Sequence, residues 1–179
     1  MGTELDKYEP CGPALEYREE HPDFISAWNN CKRGDWMLWL AAKVGVDNRK
    51  LYLAKASITQ IIRPYTDSTQ VHACIDAALM YGLGFEGVTE DDVNEVAEVI
   101  KTLGDAESPE LCDLYGIAYS TASWTGVNST ADIANTVSRA VCSRNELNYN
   151  FYLQTLEKCA DICRETLTDE VLKKLDFTI

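Results

Sequence analysis

Apolar residues recur every three or four positions along this chain, segment after segment. Nowhere do they alternate cleanly between hairpin turns, so the pattern predicts helices and gives strands little claim. The first convincing helix opens at Pro22, which suits a first helical position, with Asp23 in its first turn and Phe24, Ile25, Ala27 and Trp28 along it. From about Arg33 to Val44 the helix is apolar nearly all round, through Trp36, Met37, Leu38, Trp39, Leu40, Ala41 and Ala42. That pattern predicts a helix in the middle of a bundle, ended by Gly45 in a left-handed cap. Asp47 is expected to cap a third helix, which Pro64 stops near Arg63. Asp67, with Gln70 three residues on, caps a fourth. Gly82, Gly84 and Gly87 mark a loop. Thr89 opens a fifth helix that Gly104 closes. Further helices are expected over about 108–124, 129–146 and 148–167, with Ser108 and Ser129 as caps, and a short last one from Thr168 to near Leu175.

The pattern therefore predicts an all-α, single-domain bundle of about eight or nine helices over 1–179, with residues 1–20 flexible or loosely packed. No pattern recurs at the periods of helical repeat arrays. The length of 179 residues is enough for one domain with its own core, without a metal or disulfide staple.

Charge changes the picture. The chain carries 29 acidic and 16 basic side chains, a net −13. This excludes a nonspecific nucleic-acid binder, which needs surplus Lys and Arg, and it disfavours docking on anionic membranes. A basic protein partner fits the sign. The imbalance is also local. Between Glu86 and Asp113 there are ten acids and one base, Lys101, whereas the other 151 residues hold 19 acids and 15 bases. On the helix opened by Thr89, Val93, Val96, Ala97, Ile100 and Leu103 share one side. Asp91, Glu95 and Glu98 fall opposite, with Asp92 at the edge. Neighbours on such a row lie about 5–6 Å apart, close to the phosphate spacing of a nucleic-acid strand.

An acidic outer face is also what the helix dipole alone favours, so a solvated face and a docking face both fit. Like charges at this spacing oppose one another by about 0.2–0.5 kcal/mol per pair. No lysines stand four residues on to offset them, which speaks for docking. The candidate partner-binding residues are Asp91, Asp92, Glu95 and Glu98, flanked by Glu86 and Glu90. An exposed row offers no cage for a divalent cation, and the EF-hand pattern is absent.

The search for chemistry returns little. No phosphate loop, GxGxxG, HExxH or GxSxG motif is present. The two histidines, His21 and His72, are isolated, and His72 reads as a half-buried structural residue. Met1 to Pro10 lacks the apolar core of an export signal, so the seven cysteines are expected to be reduced, buried thiols in a cytoplasmic protein. Cys159 and Cys163 share a helical face and could supply half a metal site, but no second pair completes it. No metal, cofactor or catalytic residue is expected. The aromatic cluster Trp28, Trp36, Trp39 and Tyr52 reads as core, with a ligand pocket as the alternative.

One stretch carries a resemblance. The run Cys31-Lys-Arg-Gly-Asp-Trp-Met-Leu-Trp-Leu-Ala-Ala-Lys43, followed by Asp47, Arg49, Leu51, Leu53, Ala54 and Lys55, resembles a helical family of immunity proteins. These occur in bacterial toxin loci and in gut bacteria and their phages. The segment from Ala160 to Lys174 is similar to the ending of such proteins. The likeness covers about 30–55 and 155–175, and Gly34-Asp35-Trp36-x-x-Trp39 is its most specific piece. The acidic, glycine-broken middle departs from the alanine-rich middle of such proteins. The resemblance implies an all-helical fold and toxin immunity. Read as residues, Gly34 permits the turn into a helix, Asp35 caps it, and Trp36 and Trp39 fill the core.

The expectation is a non-enzymatic, acidic inhibitor that neutralises a basic nucleic-acid-processing protein. It would act in toxin immunity or as an anti-CRISPR-like phage inhibitor, on a nuclease, toxin or CRISPR effector, and without binding nucleic acid or membrane itself. One alternative is an enzyme or small-ligand binder, which an elongated apolar pocket beside the tryptophans, with a buried polar group and no partner on the acidic face, would mark. Another is a phage structural or assembly protein.

Overall fold

The computed structural model describes residues 5–104, 109–123 and 126–177, and within them the chain forms nine α-helices and no strand. Two short helices, α1 (Gly12–Glu19) and α2 (Phe24–Asn30), precede α3 (Gly34–Lys43) and α4 (Asn48–Thr59). A 3-10 turn over Gln60–Tyr65 leads to α5 (Thr69–Gly82). Then come α6 (Glu90–Gly104), α7 (Pro109–Ala122), α8 (Val127–Ser143) and α9 (Tyr149–Lys174). The all-helical, single-domain expectation holds.

Local chemistry explains most helix ends. Asp23 caps α2 by accepting from the Ser26 N–H (2.6 Å), so Pro22 stands before the helix and not in it. Asp47 accepts from the Arg49 N–H (2.9 Å) at α4. Thr89 and Asp92 bond each other reciprocally: the Thr89 N–H donates to Asp92 (2.7 Å) and the Asp92 N–H to the Thr89 hydroxyl (3.3 Å). This is a capping box with Asp in place of Glu. Gly45 takes φ +76° and lets the Val46 N–H reach the Ala41 carbonyl (3.0 Å), the left-handed ending expected of it.

Several expectations are corrected. Ser68, not Asp67, caps α5, because its hydroxyl reaches the Val71 N–H (3.3 Å). Ser129 lies inside α8, which starts at Val127 after Gly126. Thr168 opens no new helix. Its hydroxyl donates to the Arg164 carbonyl (2.6 Å) and accepts from Trp28 Nε1 (2.8 Å), so α9 runs unbroken for 26 residues. Of residues 5–20, Leu5 is buried and Gly12–Glu19 forms a helix with no buried residue. Ser108 lies outside the described residues. The thiols are not uniformly buried, because Cys11 is exposed while Cys31, Cys74, Cys159 and Cys163 are enclosed.

The middle of the bundle is α4, not α3. Helix α4 packs on α5, α7, α8 and α9, whereas α3, although seven of its ten residues are buried, packs mainly on α8 and α9. Helix α6 rests on α5 and α7 at one edge, and α3 rests on α8 and α9 at the other. Two glycines allow the closest crossings. A Cβ on Gly34 would stand 2.4 Å from the Cys159 Cβ and 2.8 Å from its carbonyl carbon. A Cβ on Gly82 would stand 2.7 Å from the Leu53 nitrogen. Gly34 therefore serves the contact of α3 with α9 more than the turn before it.

Gly34→Ala should destabilise the fold by about 1–3 kcal/mol, because backbone and not a flexible side chain blocks the new methyl. Gly116→Ala, at an open position within α7 with nothing within 4 Å of its Cβ, should stabilise by about 0.5–1 kcal/mol. Urea unfolding of both variants checks the contrast; equal effects would contradict the crossing.

Candidate functional site

The outer face of α6 is as acidic as its sequence indicates. Val93, Ala97 and Ile100 are buried and Val96 is half-buried, while Asp91, Asp92, Glu95 and Glu98 are exposed. Glu98 meets Lys101 at 3.7 Å, and no basic side chain pairs with Asp91 or Glu95 among the described residues. Asp92 is engaged locally, and the hydrogen bonds from Thr89 hold its carboxyl below the usual range. Glu90 leaves the row. Its carboxylate turns inward and accepts from the Tyr52 and Tyr81 hydroxyls, each at 3.4 Å. The outward part of the row is thus Asp91, Glu95 and Glu98, of which Glu98 alone has a basic partner, Lys101, among the described residues. Glu86 is exposed in the preceding loop.

Apolar residues accompany this face. Val99, 53% exposed, falls one turn beyond Glu95 on the same side. Leu83 (60%) and Phe85 (54%) stand out from the loop that leads into α6.

Behind Glu90 lies a charged interior that pattern reading missed. Lys55 on α4 is 1% exposed, and its ammonium donates to the Ser123 carbonyl (2.8 Å) and sits 4.7 Å from the centre of the Tyr52 ring. Burial pushes Lys55 down to about 7, against the opposing pull of Glu90 and Cys74. Burial likewise pushes the Cys74 thiol up to about 12. The Tyr52 hydroxyl is raised by burial and then by Glu90. Tyr52 and Tyr81 meet edge to face at 5.1 Å, and Arg49 covers the Tyr81 ring at 5.0 Å. The signal was present in the sequence: Lys55 falls on the stripe Leu51, Ile58, Ile62 at helical spacing, where a buried side chain belongs. His72 is half-buried as expected, and its Nε2 finds no partner among the described residues.

At the opposite edge a cleft of about 470 Å³ opens beneath α1. Tyr17 of α1, Phe24 and Trp28 of α2, and Trp36 and Trp39 of α3 form its aromatic walls. Along α8, Asn128, Asp132 and Asn135 line it at helical spacing and make one polar wall. Trp28 and Tyr52 are core, but Trp36 and Trp39 are only half-buried, because they border the cleft. Asp35 does not cap α3. Arg33 grips its carboxylate from Nε (2.8 Å) and Nη2 (2.6 Å), and Asn135 Nδ2 donates to it at 3.2 Å. Tyr152 of α9 in turn donates to Asn135 (2.9 Å). This network joins α3, α8 and α9 and leaves Asp35, 5% exposed, at the cleft's border.

Among the described residues no three His, Cys, Asp or Glu side chains group as a metal site would require, and no helix is long and apolar enough to cross a membrane. Cys159 and Cys163 pack against α3, where the Cys163 thiol points at the Gly34 carbonyl (3.8 Å). No family model matches the chain, nor does any curated protein or solved structure.

The buried lysine makes stability depend on pH in a defined direction. The unfolded chain keeps the Lys55 proton to about 10.5, whereas the folded chain releases it near 7. Between these values the unfolded state binds more protons, so stability should rise with pH, by about 1 kcal/mol per unit. Below about 7 both states are protonated and the burial penalty is fully present. Above about 9 the buried thiols Cys74 and Cys159, held near 12, reverse the trend, since unfolding then releases their protons. Thermal melts from pH 6.5 to 10 should show a rise and then a turnover. Lys55→Met should abolish the rise; an unchanged profile in that variant would refute the assignment.

Proposed function

We propose that this chain is a non-enzymatic inhibitor that binds and neutralises a basic protein through the outer face of α6. The observation that carries the reading is the mixture on that face: carboxylates of Asp91, Glu95 and Glu98 around the exposed Val99, with Leu83 and Phe85 at the helix entrance. Interfaces pair an apolar centre with a charged rim, and the rim charges speed encounter and select the partner more than they add affinity. Carboxylates about 5–6 Å apart present to a nucleic-acid channel the charge spacing that its own ligand presents. The partner is therefore a nuclease or related nucleic-acid-processing enzyme, such as a toxin or a CRISPR effector. The resemblance at Gly34-Asp35-Trp36-x-x-Trp39 supports toxin immunity, and anti-defence inhibition by a phage protein uses the same charge complementarity.

The test pairs the wild-type chain with a variant reversed at Asp91→Lys, Glu95→Lys and Glu98→Lys. Both serve as baits for host proteins, and each captured enzyme is then purified and assayed with the two chains. The wild type should capture and inhibit a basic nucleic-acid-processing enzyme, with affinity falling as salt rises. The folded triple variant should lose at least about tenfold in affinity, chiefly through a slower on-rate. Equal binding by the two chains at low and high salt would overturn the reading.

A further inference from the structure

Helix α1 has no buried residue, although Ala14 and Tyr17 on it face the bundle. Tyr17 meets Trp36 at 5.9 Å and donates to the Ala27 carbonyl (3.2 Å), and the cleft opens beside it. The cleft, of about 470 Å³, is open to solvent and reaches in to Trp28 and Leu40. Its volume falls within the range of about 300–1,000 Å³ of small-molecule sites, and its walls have the mixed composition of such sites. The aromatic side comes from α1, α2 and α3, and the polar side from one stripe of α8.

The charges on the border select the ligand. Glu9, Asp35 and Asp132 are acidic, whereas Arg18 is the basic residue among those lining the cleft, and its guanidinium donates to the His21 carbonyl (3.1 Å). Asp35 is already held bidentately by Arg33, whose guanidinium also lies 4.6 Å from the Trp36 ring centre, so the border acids with no basic partner among the described residues are Glu9 and Asp132. Acceptors and aromatic faces together favour a cation and disfavour an anion.

We infer that the cleft beneath α1 is a binding site for a protonated organic amine with a compact aromatic or apolar body. The ring would lie among Tyr17, Trp36 and Trp39, and the ammonium would face Asp132. The site is at the edge opposite α6, so it is independent of the docking face.

Three probes of one size separate the chemistry: phenethylamine, phenethyl alcohol and phenylacetate. Calorimetry measures binding, and the indole N–H resonances of Trp36 and Trp39 locate it. The amine should bind at least about tenfold more tightly than the alcohol or the carboxylate and shift both indoles. Asp132→Asn should reduce the amine's preference. Ala14→Trp, on a helix with nothing buried, should fill the hollow and remove binding while the helical circular dichroism is kept. The triple reversal on α6 should leave amine binding unchanged. Binding of the carboxylate as tightly as the amine would overturn the inference. So would no binding of the amine, or full binding by a folded Ala14→Trp chain.

Discussion

The crossing of α3 over α9 at Gly34 is the constraint on which one half of the molecule depends. With no Cβ at that point, the two backbones approach until Cys159 and Ala160 fill the space a side chain would need. This sets the height and rotation of α3 on its neighbours. It places Arg33 and Asp35 against Asn135 of α8, and through Asn135 against Tyr152 of α9. The same rotation turns Trp36 and Trp39 half out of the core and toward the cleft. A helix apolar on nearly every side is thus accommodated at an edge, since one of its faces borders a hollow instead of another helix.

The central helix α4 solves the opposite problem. It is less apolar in sequence than α3, yet it is enclosed by four helices, and Lys55 goes into the interior with it. The ammonium is satisfied by the Ser123 carbonyl at the end of α7 and faces the Tyr52 ring and Glu90. Breaking such a buried arrangement costs more than forming it contributes, so it specifies how α4, α6 and α7 align more than it stabilises them. Glu90 is held off the outer face by the Tyr52 and Tyr81 hydroxyls, and the remaining acids stay in water.

The two edges therefore differ in kind. At α6 the surface is charged and dotted with exposed apolar side chains, which suits a macromolecular partner. At α1 and α3 it is concave and aromatic with a few polar groups, which suits a small molecule. The central helices separate the two, so a change at either edge leaves the other intact.

Helical periodicity, the caps at Asp47 and Thr89, the left-handed ending at Gly45 and the acidic outer stripe of α6 were all legible in the amino-acid sequence. Each is a matter of residues within four positions of one another, where helical geometry alone sets what meets. Residue type alone does not separate Asp67 from Ser68 as the cap of α5, nor a helix-opening Thr168 from one whose hydroxyl bonds back to Arg164 within α9. What tertiary structure alone decided lies between distant residues. Asp35 meets Asn135 a hundred positions away, Lys55 meets Ser123 across 68, and Trp28 meets Thr168 across 140. Whether a carboxylate faces water or a buried lysine, and whether a tryptophan fills a core or walls a cleft, depends on which helix lies against it. That is settled when backbones close on each other at Gly34 and Gly82, and no local pattern records it.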